Sequence, residues 1–191
     1  MLRIHGYLIS TWTRTACMTC VEKGIDYELV PIAYGSDEHR ALHPFAKIPV
    51  LEAPAGVIFE TFAITAYLDE AFPGPSLQPA EPLARARMHT WMGLCSDYLY
   101  REVVRGIPRD RDPSVEELQA AKEALERAES LMGEERFLAG SQVTLADLYL
   151  APQVANCGEK APQLLDGLER IGIWAARMAS LESFMQTTRQ S

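Results

Sequence analysis

Apolar positions recur with two different periods in the first 75 residues and with one period afterwards. LRIHGYLI, residues 2–9, carries Leu2, Ile4 and Leu8 at even-numbered positions, which is the pattern of a half-buried strand. Residues 11–23 shift to helical spacing at Ala16, Cys20 and Val21, and Gly24 follows as a C-terminal cap, where a residue without Cβ takes the left-handed backbone freely. DYELVPI, from Asp26, is a second strand, and a crossover of this length makes it parallel to the first. After a loop of polar and turn residues, KIPVLEAPAGVIFE reads as two strands around a turn at Pro54, Ala55 and Gly56. TFAITAYLDEAF then sets Phe62, Ile64, Ala66, Tyr67 and Leu68 at helical positions, over 62–71, and stops before Pro73. The predicted order is β, α, β, loop, β, β, α.

PGPSLQPAEP, residues 73–82, holds four prolines and no periodicity, and it reads as a linker. Beyond it every long segment has helical period: about 83–105, 114–132, 145–157 and 173–187. Leu83, Met88, Trp91, Cys95, Tyr98 and Leu99 form the apolar face of the first, and Val115, Leu118, Ala121, Leu125 and Leu131 that of the second. The expected organisation is an α/β domain over 1–75, a linker over 76–82 and an all-helical domain over 83–191. No internal repeat interrupts it.

Composition narrows the function classes. The 191 residues are 48% hydrophobic and 23% charged, which excludes a disordered chain and allows a substantial core. A formal net charge of −8, with 18 scattered Lys and Arg, argues against nucleic acid and against an anionic membrane surface, since both need a basic stripe. A small anionic ligand stays compatible wherever a few cations converge. MLRIHGYLIS lacks the long apolar region of a signal peptide, and no run is long enough for a membrane span, so a cytoplasmic protein with reduced thiols is expected.

Two groups near the N-terminus compete for a chemical role. Cys17-x-x-Cys20 has redox spacing, but a reactive thiolate sits at a helix N-terminus, and these two lie about two turns inside the helix. They read as small buried apolar side chains. Cys95, Cys157, His39 and His43 complete no metal-ligand pattern with them, and no metal site is predicted. Ser10, Thr11 and Thr13 lie where the first strand gives way to its helix. A hydroxyl there serves either as an N-cap or as a hydrogen-bond donor to a reacting anion, and position alone leaves both open.

Three longer stretches decide more. They are STWTRTACMTCVEKG from Ser10 to Gly24, HPFAKIPVLE with GVIFETFAITAYLDEAF over 43–72, and FLAGSQVTLADLYLAP over 137–152. In this order and spacing they resemble the cytosolic glutathione transferase family, in its serine-type branches, and the resemblance covers nearly the whole chain. It implies an α/β thioredoxin-like N-terminal domain (βαβ-loop-ββα) followed by an all-α helical bundle. It also implies glutathione as co-substrate, a hydrophobic electrophile and a homodimer, with Phe45 at a position where some classes insert an aromatic into the partner subunit.

By the same resemblance Ser10 stabilises the glutathione thiolate, with Thr11, Thr13 and Tyr7 as alternates. Ile48 before a cis Pro49 pairs with the cysteinyl backbone. Thr61, as N-cap of its helix, and Glu60 hold the γ-glutamyl end, where free helix amides suit a carboxylate. Lys47, helped by Arg40 or His43, faces the glycine carboxylate. Trp12, Trp91, Tyr98 and Arg101 are expected around the electrophile. Thr144 and Asp147 look like a capping box of structural role, with Pro152 expected to kink or end the helix they start.

Other readings have their own markers. Branches that carry out disulfide or dehydroascorbate chemistry place cysteine where this chain has Ser10. The branch isomerising maleylacetoacetate-like substrates carries Ser-Ser-Cys where Ser10-Thr11-Trp12 stands. A catalytically silent binding or regulatory scaffold shares the fold with the enzymes. An oxidoreductase using Cys17 and Cys20 would be silenced by alkylating both.

Overall fold

The computed structural model describes residues 1–188, and the chain divides into two compact units. The first comprises Met1–Leu77 and the segment from Leu181 onward; the second is Gln78–Ser180. The expected helical domain over 83–191 therefore gives up its C-terminal segment to the first unit.

In the first unit β1 (Leu2–His5), β2 (Tyr27–Val30), β3 (Val50–Ala53) and β4 (Gly56–Phe59) form one sheet in the order β2-β1-β3-β4. β1 and β2 are parallel, and the β3–β4 hairpin is antiparallel to β1. β1 ends at His5, short of the expected residue 9, because Gly6 turns the chain at φ 153°. Any Cβ there would meet Thr13 Oγ1 at 2.5 Å. Helix α1 (Thr11–Lys23) crosses from β1 to β2 and ends at Gly24, whose φ of 66° is the expected left-handed cap. Between β2 and β3 lies a helix that periodicity does not reveal, α2 (Asp37–Leu42), started by Ser36 Oγ accepting the His39 amide at 3.1 Å. Helix α3 (Thr61–Ala71) follows β4.

The core of this unit is Leu2, Ile4, Ala16, Cys17, Cys20, Leu51, Ile64 and Leu68, which joins α1 and α3 to the sheet. Full burial of each Leu or Ile contributes roughly 1.5–3 kcal/mol. Helix α1 is covered on nearly every side, although it carries four threonines. Two of them fold their hydroxyls back one turn, Thr15 onto the Thr11 carbonyl at 3.0 Å and Thr19 onto that of Thr15 at 2.9 Å, whereas the buried hydroxyls of Thr11 and Thr13 have no hydrogen-bond partner among the described residues. Its C-terminal end is tied to α3 by buried Lys23, whose Nζ donates to the Asp69 carbonyl at 2.9 Å and carboxylate at 3.1 Å. The same carboxylate accepts the Leu77 amide at 2.8 Å, which anchors the proline-rich segment.

The second unit contains α4 (Pro82–Leu94), which continues into a π-helical segment (Cys95–Arg105), then α5 (Val115–Leu131), α6 (Leu145–Lys160), a short 3-10 turn (Pro162–Leu165) and α7 (Glu169–Ala179). The expected helix over 173–187 is two helices: α7 starts earlier and ends at Ser180, and α8 (Glu182–Gln186) belongs to the first unit. Pro152 does not end α6, which runs on to Lys160. Burial of Leu148, Tyr149, Leu150, Ala151 and Val154 around it outweighs the one amide bond that proline removes.

Asp147, fully buried at the start of α6, organises this unit. Its carboxylate accepts the Thr144 amide and hydroxyl at 2.9 and 3.0 Å, the Leu138 amide at 3.0 Å and the Trp174 indole N–H at 2.9 Å. The expected capping box is thus present, extended to a loop and to α7. Asp147→Ala is expected to lower stability by about 2–4 kcal/mol, because four donors lose their acceptor in the interior. Thr144→Ala is expected to cost about 1 kcal/mol. Urea midpoints followed by tryptophan fluorescence measure both, and equal effects would contradict the hub.

Candidate functional site

Strand register brings the separated motifs to one edge of the first unit. His5 at the end of β1 pairs with Val50 at the start of β3, which pairs with Phe59 at the end of β4. The chain that leaves β1 for α1, the chain that enters β3 and the chain that leaves β4 for α3 therefore share this edge. Ser10, the Lys47-Ile48-Pro49 stretch and Glu60-Thr61 are the residues so assembled, together with the N-termini of α1 and α3. The positive ends of two helix dipoles collect there, which suits an anionic ligand.

Ser10 caps α1. Its backbone is extended, its Oγ accepts the Thr13 amide at 3.3 Å, and its carbonyl accepts the Arg14 amide at 2.9 Å. The hydroxyl is half-buried and keeps its own proton to donate. The alternates differ from it in burial and bonding. Thr11 and Thr13 are 4% and 0% exposed, with Thr13 packed on Gly6. Tyr7 donates its hydroxyl to the Ile32 carbonyl at 2.5 Å.

The Ile48–Pro49 bond is cis, and the β3 ladder begins only at Val50, so Ile48 stands outside the sheet pairing. Lys47 is exposed, and its carbonyl lies 3.0 Å from Nε2 of buried His39. The His39 Nδ1 accepts the Gly35 amide at 3.1 Å, so this ring joins both ends of the α2 loop. Its role was not legible in the sequence; the Ser36 cap that starts α2 was the available signal. Arg40 places its guanidinium on the Gly35 carbonyl, 4.0 Å from Asp37.

Ala46 and Glu60 are the two non-glycine residues with positive φ among the described residues, at 47° and 71°. Both flank this edge, where backbone in a sparsely populated region marks residues held by their surroundings. Thr61 is not the N-cap of α3. That place belongs to Glu60, which makes no side-chain cap bond. His43 is buried between the two segments. Its Nδ1 accepts the Phe45 amide at 3.1 Å, its ring lies 4.6 Å from that of Phe59, and its Nε2 is 3.7 Å from the Glu60 carboxylate.

Cys17 and Cys20 are fully buried in the core, and desolvation pushes the Cys17 thiol up to about 12 and that of Cys20 higher still. Neither is a thiolate at neutral pH, which removes the redox reading. In the second unit Trp91 is 5% exposed and packs in the core. Tyr98 and Arg101 line a cavity of about 520 Å³ between the π-helical segment and α5, floored by Leu94, Leu99, Ala124 and Leu131.

Comparison with known proteins fits this arrangement. Residues 4–76 match the model of the glutathione S-transferase N-terminal domain and residues 91–182 that of the C-terminal domain. A glutathione S-transferase of Arabidopsis thaliana is 31% identical over 210 residues, spanning 97% of this chain and 82% of its own. The chain belongs to the glutathione S-transferase family. A maleylacetoacetate isomerase of Pseudomonas aeruginosa is 28% identical, spanning 97% of this chain and 94% of its own. The crystal structure of a glutathione S-transferase of Methylobacillus flagellatus with GSH bound has a TM-score of 0.83 at 22% identity, covering all of both chains. Fold and family are thus those expected of a glutathione S-transferase, with a four-stranded thioredoxin-like sheet and a helical second unit.

Burial lowers the pKa of His43 from its ordinary 6.5, with Lys47 and His39 acting in the same sense and Glu60 opposing. The folded protein therefore binds fewer protons here than the unfolded chain once pH falls below that value. Stability is expected to decline as pH drops from about 7 to about 5.5, with a shallower slope in His43→Gln. Urea midpoints across that range check it, and identical slopes would contradict the assignment.

Proposed function

We propose that this glutathione S-transferase holds glutathione along the carboxyl edge of its sheet and ionises the thiol with Ser10. A free thiol of pKa about 8.5 is only a few per cent ionised at neutral pH, and a two-unit reduction requires about 2.7 kcal/mol. The Ser10 O–H, donating to sulfur beside the first-turn amides of α1, is the source of that stabilisation. The thiol proton passes to solvent water, and the thiolate attacks an electrophilic carbon of a hydrophobic co-substrate; the C–S bond forms as the leaving group departs with its electron pair. The observation that carries this reading is that Ser10 is the one reachable hydroxyl among the three at the α1 N-terminus.

The tripeptide then runs from α1 to α3. Ile48, outside the ladder, offers its backbone to the cysteinyl unit; the α3 amides with Thr61 take the γ-glutamyl carboxylate, Glu60 its ammonium group, and Lys47 the glycine carboxylate. Arg40 and His43 shape the loop that carries Lys47. Trp12, half-buried two residues beyond Ser10, borders the electrophile. Thr11 and Trp12 stand where the isomerase branch carries serine and cysteine, which favours conjugation over isomerisation.

A homodimer completes the proposal, and the protein works as a cytoplasmic detoxification enzyme. Phe45 is 77% exposed on the loop before Lys47, and the cavity with Tyr98 and Arg101 has an apolar floor suited to such a ring. The second copy's ring occupies that cavity and meets Tyr98 and Arg101 there.

Ser10→Ala is expected to cut conjugation of an aromatic halide by about tenfold to a thousandfold near neutral pH, with glutathione affinity within about threefold. Steady-state kinetics and calorimetric titration with glutathione measure these, and undiminished turnover would overturn the reading. Phe45→Ser is expected to weaken self-association by at least about thirtyfold, near 2 kcal/mol, in sedimentation equilibrium. A wild-type monomer at micromolar concentration would contradict the dimer.

A further inference from the structure

Helix α1 is gripped at its first turn by the far end of the chain. Arg14 is 6% exposed, and its guanidinium is directed into the segment Ser183–Thr188, about 170 residues away in sequence. Nε donates to Thr187 Oγ1 at 3.3 Å, and Nη2 donates to the Phe184 carbonyl at 3.2 Å and to Thr188 Oγ1 at 3.0 Å. The guanidinium carbon also sits 4.1 Å from the centroid of the Phe184 ring. A second tie joins the other end of the same helix, where Ser183 Oγ donates to Glu22 Oε1 at 2.5 Å.

The hydroxyls that receive Arg14 are themselves fixed. Thr187 donates to the Ser183 carbonyl at 2.7 Å, and Thr188 donates to that of Phe184 at 2.8 Å, so their remaining lone pairs face the guanidinium. A buried guanidinium demands such satisfaction, because any N–H left bare inside the protein costs its full hydration. Charge-assisted bonds and stacking on an aromatic face make this contact directional, and an ammonium on a flexible stem does not reproduce it.

Arg14 is also the residue whose backbone amide closes the first turn on the Ser10 carbonyl, at 2.9 Å. One residue thus links the cap of α1 to the C-terminal segment. A shift of the first turn of a few tenths of an ångström changes the length of any hydrogen bond from the Ser10 hydroxyl, and such bonds weaken steeply away from their preferred geometry.

We propose that Arg14 is a positioning residue, and that Phe184, Thr187 and Thr188 form a C-terminal strap that sets the strength of the Ser10 hydrogen bond to the glutathione thiolate. This rests on the reading of Ser10 as the thiolate donor. Arg14 touches neither substrate nor sulfur; it acts through the α1 first turn. Loosening the strap raises the thiol pKa in the complex, while the tripeptide contacts made by the 47–49 stretch and α3 persist.

The test compares Arg14→Lys, Phe184→Ala, the double variant T187V/T188V and Ser10→Ala with the native protein, each with glutathione alone. The thiol pKa in the complex is read from the ultraviolet difference spectrum of the thiolate across pH, with glutathione affinity from titration and folding from circular dichroism. The strap variants are expected to raise the thiol pKa by about one unit, a roughly tenfold loss of thiolate at a pH below it that is recovered at high pH. Affinity for glutathione is expected to stay within about threefold. Should Arg14→Lys fail to fold, Phe184→Ala and the threonine pair carry the test. An unchanged thiol pKa in folded strap variants, alongside a raised one in Ser10→Ala, overturns this inference and leaves Ser10 in its role. An unchanged value in Ser10→Ala overturns the reading beneath both.

Discussion

The position of the α1 N-terminus against the sheet is the constraint on which the site depends. A helix start offers amides that no residue of its own helix can use, and here Ser10 takes up one of them through its side chain while its carbonyl begins the ladder. Because β1 is an inner strand, flanked by β2 and β3, the turn from β1 into α1 cannot drift without breaking pairing on both sides. The same pairing carries Val50 and Phe59 to the level of His5, and with them the ends of the two segments that complete the edge. A ligand there meets groups fixed by three strands at once.

Around that edge, buried polar side chains hold irregular backbone in place of regular structure. His39 spans the α2 loop, His43 bridges the loop before β3 to Glu60, and Glu60 itself adopts a positive φ to begin α3. The two histidines satisfy amides or carbonyls that have no ladder partner, which is the general condition for burying a loop. Helix α1 is treated in the same way on a larger scale: Lys23 ties its last turn to α3, and Arg14 ties its first to the C-terminal segment. Apolar packing alone leaves a helix free to slide by small amounts; directional bonds at both ends remove that freedom.

The second unit solves a comparable problem with one carboxylate. Asp147 collects a cap, a loop amide and an indole from α7, and the helix it starts is apolar on nearly every side, with Pro152 carried inside it. Where α6 does present polar groups, they serve carbonyls of the π-helical segment and the turn after it: Gln153 reaches Cys95, and Lys160 reaches Val104 and Ile107. Tertiary packing outweighs local preference in both cases.

Much of this was legible in the chain. The β-α-β crossover, the hairpin at Pro54, the Gly24 cap and the Thr144–Asp147 box all follow from short-range chemistry, in which spacing and residue type dictate backbone shape. Helix α2 was hidden because its six residues, with only Ala41 and Leu42 apolar, are too few to show a helical period, and the break at Ser180 because one helical period runs through two helices that pack on different cores. Among Ser10, Thr11 and Thr13, sequence could not choose, since all three are hydroxyls at a helix start; the fold encloses Thr11 and Thr13 and leaves Ser10 half-buried. The partners of Arg14 and His39, and the commitment of Tyr7 to a carbonyl, lay equally beyond reach. The sequence by itself determined which elements form and in what order, because those depend on neighbours a few residues apart. Only the tertiary structure decided which side chains remain open to a ligand, because that depends on what the distant chain covers.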